Sequence, residues 1–215
     1  MTDTPIVILG TGGNCLDILD MLRALNRPCA GFLDDDPDLW NQSIDGLHVL
    51  GPLSMAAELG DCSLVNGIGS PASFRDKEAI IRSCGLPAER FTTVVHPTAS
   101  VSPTAVLGRG TVLMAHVTVG SHARLGDHVM VLSNSVVNHD AAIGDYSCLA
   151  SGVSVSGRVV VGRSCYLGTN SSMIGDVSIG DGAMIGMGSV VLDDVAAQTV
   201  VAGNPAKRLH QSVAV

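Results

Sequence analysis

Residues 136–146 read VVNHDAAIGDY, a stretch that sets His139 beside Asp140. An imidazole next to a carboxylate can serve as a general base, because the carboxylate holds the ring's orientation and raises its basicity. Eighteen residues further on lies Gly157, flanked by Ser156 and Arg158, and eighteen residues back lies Ser121. If those positions stack, Gly157 leaves open space and a main-chain N–H beside the ring. A base next to a donor for an oxyanion is the minimal equipment for acyl transfer. The plainer alternative is a structural histidine at the turn of a repeat.

A second candidate site opens the chain. Gly10-Thr11-Gly12-Gly13 falls where a strand, PIVILG, passes into a helix, so amide N–H groups and a helix start point outward together. That arrangement cradles anions. Asp34, Asp35 and Asp36 close a second strand, at the distance where dinucleotide folds hold a ribose hydroxyl. The third glycine of GxGxxG is missing, since position 15 is Cys, and the half-domain is short for a full dinucleotide site. A tight turn with a solvated acidic loop is the competing reading.

The elements that must position these groups fall into two unlike halves. From Val101 to Val191 every sixth residue is aliphatic, and the residue after it is often Gly. A period of six fits neither a helix nor a simple strand. It is the hexapeptide signature of a parallel β-helix, in which three six-residue units close one triangular coil of about eighteen residues. The aliphatic residue points into the prism, and glycine and small residues permit the corners. About five coils result, with no long loop extruded between them. This periodicity is what makes position 157 the upper neighbour of position 139.

The first ninety-odd residues alternate differently. Strands are predicted at 5–10, 29–36 and 63–69, and helices at 14–25, 52–59 and about 73–84, which implies a small parallel sheet flanked by helices. FTTVVHP (91–97) leads into the prism. The chain thus divides into a Rossmann-like α/β domain over 1–95, a β-helix over 96–195 and a terminal segment over 196–215, which caps or flanks the last coil.

Bulk properties exclude several partners. The formal net charge is −8, which argues against nucleic acid. No apolar run approaches the ~20 residues that span a bilayer, and the start is no signal peptide. Six cysteines without CxxC spacing suggest free thiols in a reducing cytoplasm. Three histidines, His116, His122 and His128, recur six apart and so occupy three different sides of the prism, which disfavours a metal triad. His48, His96 and His210 read as surface or structural residues.

Taken in order, the glycine turn, GFLDDDP, the Ile68-Gly69 pair followed by Arg75, HP at 96–97, NHD and the final GNPAK span essentially the whole chain. This order resembles the nucleotide-sugar acetyltransferases of the sialic acid O-acetyltransferase NeuD family, and among them the N-acetyltransferases of 4-amino-4,6-dideoxy sugars, perosamine N-acetyltransferase in particular. The resemblance implies a left-handed β-helix, a homotrimer with sites between subunits, acetyl-CoA as co-substrate without a metal, and a cytoplasmic role in surface polysaccharide (O-antigen or lipopolysaccharide) synthesis. It assigns the general base to His139, its acidic neighbour to Asp140 and the amide facing the thioester carbonyl to Gly157. It gives the sugar nucleotide Gly10, Gly12, Gly13, Asn14, Asp34, Asp35, Gly69 and Arg75. The arms of CoA would fall to Gly157, Gly168, Gly186, Gly203, Pro205, Ala206, Lys207 and Arg208, the last two pairing with phosphates.

The chain departs from the bacillosamine-pathway members at Asn14, Leu132 and Cys148, positions that surround the sugar, so the hexose and its nucleotide stay open. So do O-acetylation in place of N-acetylation, a covalent route through Cys148 or Cys165, a metal-binding prism and a non-catalytic assembly module.

Overall fold

A computed structural model describes residues 4–209; His210 lies outside the described residues. The N-terminal unit opens with β1 (Ile6–Leu9), four buried aliphatic residues between two parallel neighbours. Helix α1 (Gly13–Ala24) follows directly, burying Ile18, Leu19 and Leu22 along one stripe. The sheet continues through β2 (Cys29–Leu33), β3 (Ser43–Ile44), β4 (Leu47–Gly51) and β5 (Ser63–Asn66), in the order β3-β4-β2-β1-β5. Helix α2 (Lys77–Ser83) completes the unit.

Two expectations are corrected here, and one element is added. Residues 52–59 form only a short 3-10 helix, Leu53–Ala57, because Pro52 starts the turn and Gly60 follows closely. The helix expected from about residue 73 begins at Lys77. A hairpin joining β3 to β4 was missed, although Asp45 and Gly46 both adopt positive φ, as a two-residue Asp-Gly turn requires.

The prism begins with the strand Val94–Val95, which pairs with Val112–Leu113. Thereafter each two-residue strand as far as Val190–Val191 pairs in parallel with one eighteen residues away, giving three sheets that form the three sides of the coil, and the last coil is shorter, with Met184–Ile185 pairing to Val200–Val201. The side containing Val112, Met130 and Cys148 packs against α1, and all three are buried there. A second side carries Val136, Ser154 and Ser172, and the third carries Val106, Ala142 and Val160.

The corners correct one part of the periodicity argument. The left-handed residue of each corner is not the glycine after the aliphatic residue. It recurs every six positions at His116, His122, His128, Asn134, Asp140 and Tyr146, and again at Arg158 to Asp176. The glycines have another duty. A methyl group on Gly144 would come within 2.5 Å of the Gly162 backbone, and one on Gly168 within 2.6 Å of the Met187 nitrogen. They let successive coils touch.

Helix α2 is docked onto a corner of the prism. Lys77 is fully buried there, its Nζ donating to the His128 carbonyl at 2.7 Å. Burial pulls the ammonium down to about 8. The His128 ring stacks on Tyr146 at 5.2 Å and meets the edge of Phe91 at 4.7 Å, and its Nδ1 has no partner among the described residues. Burial, reinforced by Lys77, lowers this imidazole to about 4.

Candidate active site

Two separate places collect the residues singled out by the sequence. The first is a cleft of about 720 Å³ between the N-terminal unit and the prism. Gly10, with φ of +93°, turns the chain at the end of β1, and Gly12 caps α1 in extended conformation. Gly10, Gly12, Gly13 and Asn14 line the cleft, so the free amides of the first helical turn face it. Asp34 lines the cleft beside this turn. Its Oδ2 accepts from the Thr11 hydroxyl at 2.7 Å and its Oδ1 from the Asp36 amide. Gly69 contributes from the loop after β5.

The missing third glycine has a structural answer. The Cys15 side chain fills the space between strand and helix, and a Cβ on Gly67 would lie 2.3 Å from its sulfur. The glycine that this packing needs sits on β5's exit instead. Burial, with Asp34 nearby, pushes the Cys15 thiol up to about 12, so it remains protonated.

Two residues assigned to this site lie elsewhere. Asp35 turns away from the cleft, and its Oδ1 accepts from the Leu53 amide at the start of the 3-10 helix. Arg75 faces the far corner of the prism: its Nε donates to the Gly182 carbonyl and its guanidinium lies over Phe74. Its neighbourhood is a different depression shared with Arg163 and Gln198. Conversely, Ser70, Ser73 and Tyr166 line the cleft without having been singled out. Leu132 and Tyr166 reach it from the prism, a tertiary juxtaposition with no local signal in sequence.

The second place is the corner between the second and third sides of the prism. His139 occupies it with its side chain pointing outward, 55% exposed, and Nδ1 lies 2.9 Å from Asp140 Oδ2. The hydrogen bond from the ring holds Asp140 below the usual carboxylate range, with further help from His122 and Arg158. One coil above is Gly157. A Cβ there would lie 2.6 Å from both Cε1 and Nε2 of the ring, so the imidazole rests directly against this glycine. No protein acceptor among the described residues takes the Gly157 N–H.

The residues assigned to CoA are divided. Gly168 and Gly186 stack on the next corner, across the second side from Gly157, below the turn from Gly203 through Pro205 to Ala206. Ala206 donates its amide to Val190, and Lys207 and Arg208 form a short antiparallel strand with Val201–Ala202, exposed at the end of the prism. Cys148 and Cys165 are both buried, and burial raises both thiols. His116, His122 and His128 sit at three different corners, and no group of three His, Cys, Asp or Glu among the described residues could hold a metal ion.

Comparison with known proteins gives this geometry its class. The model for the bacterial transferase hexapeptide (six repeats) matches residues 122–157 and 158–193. No curated protein sequence matches significantly. Among solved structures, PerB from Caulobacter crescentus, in complex with CoA and GDP-perosamine, is similar at 30% identity and a TM-score of 0.84, covering 95% of this chain and 97% of its own. The acetyltransferase domain of PglB from Neisseria gonorrhoeae, in complex with acetyl coenzyme A, is similar at 27% identity and a TM-score of 0.87, covering 97% and 100%. WeeI from Acinetobacter baumannii, at 24% identity and a TM-score of 0.84, covering 96% and 100%, shares the fold. The chain is therefore a left-handed β-helix acyltransferase with an α/β domain before it. It belongs to the sugar N-acetyltransferases of the hexapeptide-repeat class.

Proposed function

We propose that the protein transfers an acetyl group from acetyl-CoA to the 4-amino group of a nucleotide-linked 4-amino-4,6-dideoxy sugar, GDP-perosamine being favoured. The carrying observation is the contact of the His139 ring with Gly157 while Asp140 holds its other side. With Nδ1–H donating to Asp140, Nε2 keeps its lone pair and accepts the proton of the attacking amine. The amine nitrogen bonds to the thioester carbonyl carbon, and the oxygen that becomes negative is met by the Gly157 N–H. Collapse breaks the C–S bond, and the imidazolium returns its proton to the sulfur, so CoA leaves as thiol.

The sugar nucleotide fits the cleft at Gly10–Asn14, whose helix-start amides suit a diphosphate and whose Asp34 suits a hydroxyl or base donor. In one chain that cleft lies on the side of the prism opposite the His139 corner. The reading therefore includes a homotrimer in which a neighbour's corner enters each cleft and acetyl-CoA lies between prisms. Large apolar side chains exposed along the prism support such contacts: Val106 and Val160 on the third side, Ile174 and Leu192 beside the His139 corner, and Met187 at 78% exposure.

Replacing His139 by Asn, measured by steady-state turnover with acetyl-CoA and GDP-, UDP- and dTDP-linked 4-amino sugars, is expected to lower kcat at least about a hundredfold with the fold intact. An unchanged kcat would remove the base assignment. Turnover of the hydroxy sugar in preference to its amino counterpart would replace N- by O-acetylation.

A further inference from the structure

The left-handed corner positions above and below Asp140 form a column of ionisable side chains. His122, Asp140, Arg158 and Asp176 share φ values of 60°, 59°, 61° and 69° on four successive coils. Arg158 grips Asp176 through both arms of its guanidinium, Nε to Oδ1 at 2.6 Å and Nη2 to Oδ2 at 2.8 Å. The same two residues tie down the peptide that follows the proposed oxyanion donor. The Arg158 amide donates to the His139 carbonyl at 3.1 Å, and the Asp176 amide donates to the Gly157 carbonyl at 3.2 Å.

Both side chains are more than half exposed, and an exposed ion pair contributes little to stability. Its geometry nonetheless falls on the corner where an ångström matters to transfer. We propose that Arg158 and Asp176 are positioning residues for the reaction: their fork fixes the Gly157 corner against the imidazole, and their opposite charges balance the field in which His139 takes up a proton. Among the described residues, the charged and titratable groups around the His139–Asp140 pair are His122 on the coil below, and Arg158 and Asp176 above. This inference rests on His139 being the base.

The signs follow from Coulomb's law. Asp176→Asn leaves the Arg158 cation uncompensated and disfavours an imidazolium, so the acidic limb of the kcat/KM profile moves to lower pH. Arg158→Gln leaves two carboxylates without their cation, so the limb moves to higher pH. Each displacement should be about half a pH unit for unit charges several ångströms apart near water. Arg158→Lys retains the charge but cannot fork, so its limb stays in place while kcat falls about tenfold, as does that of Asp176→Asn.

The experiment is a kcat and kcat/KM profile against pH for the three variants and His139→Asn, on the full chain, with thermal unfolding in parallel. Opposite limb displacements in Asp176→Asn and Arg158→Gln, with kcat lowered and unfolding temperatures near wild type, bear the proposal out. Displacements in the same direction, unchanged profiles, or losses confined to the KM of either substrate overturn it. A dead His139→Asn with unaltered clamp variants removes the clamp alone, whereas an active His139→Asn removes the base assignment beneath it.

Discussion

Gly157 matters to this site for the room it leaves, and that room is small. A methyl group at this position would overlap the His139 ring at 2.6 Å, so Gly157→Ala should swing the imidazole outward. The ring is half exposed and has somewhere to go, so the fold should hold while kcat falls at least about a hundredfold. Steady-state rates beside a circular dichroism melt check this, and an alanine variant with wild-type kcat would detach Gly157 from the chemistry. His139, Asp140 and Gly157 could be put together from sequence alone because the eighteen-residue stacking is a covalent property of the repeat. The assignments of Arg75 and Asp35 came from the resemblance, in the N-terminal unit, where no periodicity fixes direction. There the side chains found backbone partners, Gly182 and Leu53, that no repeat places beside them.

At the level of elements, the docking of α2 onto the prism hangs on buried polar groups with an acid-sensitive consequence. His128 is held neutral, its folded value of about 4 lying below the free value of 6.5. The unfolded chain therefore binds the extra proton first, and the stability it confers, about 3 kcal/mol in order of magnitude, is present above pH 6.5 and lost as pH falls towards 4. His128→Asn tolerates the left-handed corner and removes the titration. The variant should lose some stability at neutral pH through missing aromatic contacts, yet its unfolding free energy should fall less steeply between pH 6.5 and 4 than that of the wild type. Denaturant titrations across that range compare the slopes, and parallel slopes would show that this ring does not drive acid unfolding. Nothing in the sequence marks His128 apart from His116 and His122, because its burial comes from Phe91 and Lys77, supplied by the other unit. The strands of the prism between Val101 and Val191, by contrast, follow the six-residue period, whereas Val94–Val95 and Val200–Ala202 join it from outside the span read as β-helix, and the short hairpin at Asp45-Gly46 carried a signal that could have been read.

For the whole molecule, the separation of cleft and catalytic corner makes a division of labour between copies testable. Asp34→Ala should cripple the cleft and His139→Asn the corner, each leaving the other place intact. If sites are completed by a neighbour, refolding the two inactive variants together should restore a minority of active sites, and neither alone should show them. Activity recovered in the mixture, measured against each homo-oligomer, supports the shared site, and none recovered assigns both functions to one chain. The prism imposes a further rule on how such a protein can vary in length. Because each coil between Val101 and Val191 takes eighteen residues and each side six, adding six residues below Val136 would rotate everything downstream by a third of a circle and present the histidine from the wrong wall. Adding eighteen would return it to the same wall, one storey higher. Growth of this scaffold is quantised in whole storeys.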